Sequence, residues 1–481
     1  MTSLSIFSTG EVFQGPGWTG TLLNLTSQQW LSPKYTANSI WTHQLLIIRP
    51  DEIQSEDVGA LYVTAKTNKN PVIDVNDTDV VAAALYATIA KVHSAALFQV
   101  PNQPISFVGD SVRERYEDDL LGFTWVEYVT NRLSRPDFVA YFPMVKAAVA
   151  AMDAITEFTM MKVQKKQYSK PVSRFYISGA SKRGGVTWLT AAFEGSKPES
   201  QRRIIGAAPI IYDFVNITHV LPRMYQLYNG WSFAFEPYRQ NNLMQLIGTP
   251  ALDILASVID PLYPPYLAGI ANIEKFVVTA SDDEFMVTDS DQLWWHLMPF
   301  PKLRYIAPNA SHGLDGAQVE VFSAIANHMK AIIEGRPRPH IDWRFTSDGS
   351  LVVESDQEPK KVHIYRAQTI PTEPYRRDFR RFKANIPGGC LPPAEPMNVR
   401  RCSNPVNWES KPVEGDYNPQ TKTFVYKYQE MPDPQFDGWV GFYFMLEFPG
   451  GQNYTTQAVV LPDELPFAPC GSGEACFGTL V

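Results

Sequence analysis

Cysteine and histidine are scarce in this chain, with 4 and 8 among 481 residues. All four cysteines lie late, Cys390 with Cys402 and Cys470 with Cys476, and no histidine stands close in sequence to either pair, so no metal site and no cofactor is expected. An even number in two local pairs suits two disulfides and an oxidising setting. Long apolar runs are also missing: none approaches the ~20 residues that a membrane-crossing helix needs. Positive charge is not in excess, since 42 Lys and Arg stand against 50 Asp and Glu, a net charge of -8. That balance argues against nucleic acid or an anionic membrane as the main partner. Residues 1–30 lack the basic start and apolar centre of a signal peptide. Export is nevertheless expected, from the cysteines and from five Asn-x-Ser/Thr triplets at Asn24, Asn76, Asn216, Asn309 and Asn453.

What is present is globular: 44% hydrophobic and 19% charged residues, in a chain longer than one ordinary domain. The first forty residues read as polar and turn-rich. Short apolar runs at 40–48, 60–65, 95–100, 175–177, 203–208, 275–280 and 303–306 then alternate with helical patterns, among them Gln318 to Ile333. Strand and helix in alternation predict an α/β domain over 1–339, a mostly parallel sheet covered on both faces. Within it, 209–266 breaks the alternation and is rich in Tyr, Trp, Phe and Pro, which suits a lid with Trp231 and Phe233 shaping a substrate pocket. From 340 to 481 short strands separated by Gly, Pro and Asp turns predict a β-sandwich of immunoglobulin-like size.

The chemistry is concentrated in Gly179-Ala180-Ser181-Lys182-Arg183-Gly184, set between the run ending at Ile177 and a helix opening near Gly185. A strand turning at once into a helix presents its serine above the sheet on a strained bend. A serine hydroxyl needs a base, and the base an anchor. In this arrangement they follow in the order Ser, acid, His, each after a strand, and Ser181, Asp283 and His312 meet that order. Asp282 and Glu284 flank the acid and suit turn-capping roles. One oxyanion donor is expected from the Lys182 amide. The other is expected from the loop after the third predicted strand, at Asn102 or Gln103. Lys182 and Arg183 suit an acidic substrate or extra oxyanion stabilisation, or else point into solvent.

These residues resemble the PhoPQ-activated pathogenicity-related proteins, which include the autocrine proliferation repressor proteins of amoebae. The likeness runs through Trp41-Thr42-His43, Val100-Pro101-Asn102-Gln103-Pro104, Glu117-Asp118-Asp119, Gly230-Trp231-Ser232, Asp283-Glu284-Phe285 and Pro308-Asn309-Ala310-Ser311-His312. It implies an α/β-hydrolase-like fold with a serine–aspartate–histidine arrangement on Ser181, Asp283 and His312. Two loops depart from the family pattern, with Asp282 before the acid and Ser311 before the histidine. The residues and the resemblance together lead to an exported serine hydrolase acting on a small-molecule ester or peptide. The alternative is a secreted signalling protein with little turnover that binds a cell-surface receptor.

Overall fold

The computed structural model describes residues 5–481 apart from 70, 112–113, 373, 385–389, 392–400, 432 and 434. Among these, nine strands form one sheet: β1 (Ser5–Gly15), β2 (Trp18–Gln29), β3 (Ile40–Pro50), β4 (Ser55–Val63), β5 (Val92–Leu97), β6 (Arg174–Ala180), β7 (Ile204–Ile210), β8 (Glu274–Ala280) and β9 (Lys302–Ala307). Their spatial order is β1-β2-β3-β5-β4-β6-β7-β8-β9. The first three are antiparallel, and so is the β3–β5 pair; from β5 across to β9 every pair is parallel. The sequential order is broken where β5 lies between β3 and β4, and the sheet is that of an α/β-hydrolase.

The hairpin β1–β2 corrects the reading of the first forty residues as polar turns. Thr, Ser, Gly and Gln in β2 mask an alternation that sends Leu23 and Leu25 into one core and Trp18 and Leu22 into another. The same period of two sends Leu61 and Val63 of β4 to one face and Ala60 and Tyr62 to the other. Nine helices follow in the described residues: α1 (Thr78–Ala90), α2 (Glu117–Asn131), α3 (Tyr141–Gln164), α4 (Lys182–Gly195), α5 (Ile217–Tyr228), α6 (Glu236–Gln240), α7 (Pro250–Ile259), α8 (Pro264–Ile270) and α9 (Gln318–Ile333). Buried residues of α1 and α9 pack on the Tyr62 face, and those of α2, α3 and α4 on the Leu61 face. None is long and apolar enough to cross a membrane.

Helices α5 to α8 make up the segment between β7 and β8. It is held from behind by the last residues of the chain: Trp231 N–H donates to the Thr479 carbonyl, and Val481 N–H to the Trp231 carbonyl, both at 2.8 Å. Trp231 Nε1 donates to the Cys476 carbonyl at 2.9 Å, inside a loop closed by the Cys470–Cys476 disulfide.

Beyond α9 the sheets are antiparallel and form the C-terminal β-sandwich. One joins Ile341–Phe345, Ser350–Ser355, Thr423–Gln429 and Gly415–Asn418; the other joins Glu409–Pro412, Lys361–Gln368, Val440–Phe448, Gln452–Thr455 and Val459–Leu461. Their facing residues, such as Val353, Tyr426, Ile364 and Phe444, share a core with α9 and β8. Cys390 and Cys402 lie opposite one another in a third small sheet; the Cys390 side chain lies outside the described residues. The sandwich is joined to the loops after β8 and β9. Trp408 N–H donates to Asn309 Oδ1 at 2.8 Å, Asn309 Nδ2 to the Trp408 carbonyl at 3.0 Å, and Arg381 N–H to the Asp282 carbonyl at 2.8 Å.

Candidate active site

Strand β6 gives way to α4 at Ser181, whose backbone adopts φ 56° and ψ −129°. A non-glycine residue there is strained by about 1–3 kcal/mol and persists only where its surroundings enforce it. Here Ser181 N–H donates to the Ile210 carbonyl at 2.8 Å, and Gly184 N–H to the Ser181 carbonyl at 2.6 Å. Two glycines make the bend possible by close approach. A Cβ on Gly179 would lie 2.8 Å from the Arg183 backbone oxygen, and one on Gly184 2.6 Å from the Tyr212 Cβ.

Two further loops bring their side chains to the same rim. His312, after β9, places Nε2 2.9 Å from Ser181 Oγ. Its Nδ1 lies 2.8 and 2.9 Å from the two Asp283 oxygens, on the loop after β8. Asp283 Oδ1 also accepts the N–H groups of Phe285 at 2.7 Å and Met286 at 3.0 Å, which fixes the carboxylate. Burial opposes a charge on the His312 imidazole, but the charge and hydrogen bond of Asp283 outweigh it and raise its pKa above the ordinary value. The ring of Phe285 covers the imidazole at 4.5 Å between centroids.

The neighbouring acids serve the loops and do not reach the imidazole ring. Glu284 accepts the His312 backbone N–H at 2.8 Å; burial first, then the Asp283 charge, pushes its carboxyl up to about 7. Asp282 accepts the Ser281 hydroxyl at 2.8 Å, and burial lifts it also to about 7.

The two cations beside Ser181 do not point into solvent: both are buried, both line the recess that holds the serine, and both are paired with acids of α2. Lys182 Nζ lies 2.8 Å from Glu117 and 3.3 Å from Asp118. The Arg183 guanidinium makes a two-pronged pair with Glu117 at 2.6 and 2.7 Å and donates to the Val100 carbonyl at 2.6 Å. Burial disfavours the Glu117 charge, yet Arg183 and Lys182 hold its carboxyl far below the usual range. The available signal for this cluster is the run Glu117-Asp118-Asp119 opening α2; its partners lie over sixty residues away in the chain.

The Lys182 amide heads α4 and has no hydrogen-bond partner among the described residues, as an oxyanion donor requires. Asn102 and Gln103 are misplaced for the second donor. Gln103 N–H is already given to the Pro101 carbonyl at 2.9 Å, and Asn102 is tied by its side chain to the Thr42 backbone, away from the Ser181 recess. The physical reason is the pairing order: β4, not β5, lies beside β6, so the loop that adjoins Ser181 is the one after β4 rather than the one after β5. Ala65, on that loop, lines the recess with Ser181, and its N–H has no partner among the described residues.

That recess measures about 380 Å³ and is lined by Tyr62, Thr64, Asp79, Phe285, Leu314 and Phe322 around the serine and histidine. Trp231 and Phe233 are not part of it. Both are buried in the segment between β7 and β8, Trp231 against the C-terminal residues, while nearby Phe235 packs on Phe285. Asp79 stands in the recess with its pKa raised by burial, against the pull of Thr64 and Arg183.

A hydrolase sheet with serine, histidine and aspartate gathered at its carboxyl rim defines the class as an α/β-hydrolase scaffold. Residues 8–380 match the PhoPQ-activated pathogenicity-related proteins, and the chain belongs to that family. It is 31% identical over 480 residues to autocrine proliferation repressor protein A of Dictyostelium discoideum, covering 95% of this chain and 88% of the relative. Among solved structures it is similar to acetyl xylan esterase 1 from Thermoanaerobacterium sp., with 13% identity, a TM-score of 0.40 and coverage of 68% of this chain and 87% of the other. It is also similar to an S-formylglutathione hydrolase from Agrobacterium tumefaciens, with 11% identity, a TM-score of 0.37 and coverage of 68% and 98%.

Proposed function

We propose that this protein is an exported serine hydrolase that opens an ester or peptide bond through an acyl-enzyme, with residues 1–339 as the catalytic domain and 340–481 as its β-sandwich partner. The reading rests on one observation, the unbroken hydrogen-bonded line from Ser181 Oγ through His312 to Asp283. Asp283 accepts the Nδ1 proton, which leaves Nε2 as the acceptor for the serine proton. As Ser181 Oγ bonds to the substrate carbonyl carbon, its proton passes to Nε2, and the Lys182 and Ala65 amides receive the developing oxyanion. Collapse breaks the bond to the leaving alcohol or amine, which takes the proton from Nε2. Water then repeats the sequence to release the acid. Since Lys182 and Arg183 are neutralised by Glu117 and Asp118, no net positive field selects a carboxylate-bearing substrate. Export is supported by the Cys470–Cys476 disulfide.

A fluorophosphonate probe should label the wild type at Ser181 and leave Ser181→Ala unlabelled; equal labelling of both removes the assignment. A second reading, a secreted signal that needs little turnover at a cell-surface receptor, is favoured by the identity to a relative whose name describes proliferation repression. Full growth repression by Ser181→Ala would favour it, and loss of repression would favour hydrolysis.

A further inference from the structure

A second recess, about 570 Å³, opens beside β2 and β3. The segment after β4 divides it from the first: Thr64 and Ala65 line the Ser181 side and Asn68 and Pro71 the other. Gln99 N–H joins the two walls by donating to the Ala65 carbonyl at 2.7 Å. Although 19% of the chain is charged, the described lining of this recess holds no Asp, Glu, Lys or Arg. His43, also in the lining, is kept neutral, burial pushing its imidazole down to about 4. In place of charge stand six carboxamides: Asn24, Asn38, Gln44, Asn68, Gln99 and Asn102.

Part of this set builds the wall. Asn102 Nδ2 donates to the Thr42 carbonyl and, at 3.3 Å, to Asn68 Oδ1; Gln99 Oε1 accepts the Gln44 N–H at 2.8 Å, and its Nε2 donates to Gln44 Oε1 at 2.9 Å. The rest is unspent. Among the described residues, Gln44 Nε2, Asn68 Nδ2, Asn38 Oδ1 and the whole Asn24 amide have no hydrogen-bond partner. Ile40 adds an apolar surface that is 44% exposed.

Neutral amides offer a donor and an acceptor in one plane, the complement of adjacent hydroxyls, and those of Gln44, Asn68 and Asn38 are each held by a single bond with the other end free. A charged ligand would meet no counter-charge in such a lining and would lose hydration without recompense. An apolar side chain beside them suits the C–H face of a sugar ring. We propose that this recess binds a neutral saccharide. The proposal is independent of the chemistry at Ser181. Two sources share that ligand chemistry: a glycan of another molecule, or a chain attached to Asn24, whose exposed side chain begins the triplet Asn24-Leu25-Thr26.

Protein from a bacterial host, which carries no attached sugar, should bind neutral glycans on an array in preference to sialylated or sulfated ones. Asn24→Ala with Asn68→Ala should weaken that binding about tenfold or more. Asn24→Gln should retain it, and Ser181→Ala should leave it unchanged. The melting temperature of the double variant checks that the fold is intact. If the chain at Asn24 is the occupant, protein from a eukaryotic secretory host should carry sugar at Asn24 that an amidase releases only after denaturation. Equal binding of charged and neutral glycans overturns the proposal. So does the absence of glycan binding together with an Asn24 that is bare or freely deglycosylated in the native protein.

Discussion

Ser181 stands between two charged clusters that differ in what their protons are free to do. On one side Asp283, with its side chain 1% exposed, anchors a single imidazole whose second nitrogen reaches the serine. On the other, Lys182 and Arg183 face Glu117 and Asp118, and two cations meet two anions at contact distance. The first cluster sets His312 Nε2 against the serine hydroxyl, the acceptor that the proposed hydrolysis requires. The second is internally compensated, and its effect is to clamp the elbow to α2. Charge beside a nucleophile is therefore a poor guide to chemistry until its partners are counted.

The largest test of the contrast is Ser181→Ala, which should lose about 10⁴–10⁶ in kcat on any ester the wild type hydrolyses, with its urea midpoint unchanged. Breaking the other cluster should do the reverse. Glu117→Gln leaves two buried cations short of an anion and should cost about 2–4 kcal/mol in urea unfolding, below the usual ceiling for a buried pair because Glu117 is 31% exposed and water replaces part of it. Glu284→Gln is smaller. The folded carboxyl is raised to about 7, so its ionisation opposes folding as pH rises from its unfolded value of 4.5 through 7. The variant should gain about 1–3 kcal/mol at pH 8 and nothing near pH 4, read by denaturation at both. The smallest effect is a displacement of the pH profile. His312 must be neutral to act as base and its pKa is raised, so the acid limb of kcat/KM should be centred above 6.5. The same raised pKa gives stability that is complete below 6.5 and lost as pH climbs through the folded value. Activity and this part of stability should therefore move in opposite directions across that window.

The elbow and the order of the three loops are legible because each is a local pattern: glycines around a serine, then an acid and a histidine directly after apolar runs. Helix α9 is legible from end to end for the same reason, its apolar spacing being strong and local. What fails to show is whatever depends on a distant partner. Trp231 reads in the sequence as a wall of a pocket, yet its indole is satisfied by Cys476, 245 residues away. Lys182 and Arg183 read as free cations until α2 is brought beside them. The crossover has a longer reach, since no local pattern shows that β4 rather than β5 pairs with β6, and so Asn102 instead of Ala65 reads as lying beside the serine.

The bonds from Asn309 and Asp282 to Trp408 and Arg381 have a practical consequence for anyone cutting the gene. A truncation after 339 would keep every strand of the large sheet, yet strip the outer supports from the two loops that carry Asp283 and His312. The seam visible in the chain's texture is thus not a seam in its working parts. Excising or swapping the C-terminal module should unsettle the aim of the imidazole and also uncover the core shared with α9 and β8 and the back of the segment that holds Trp231.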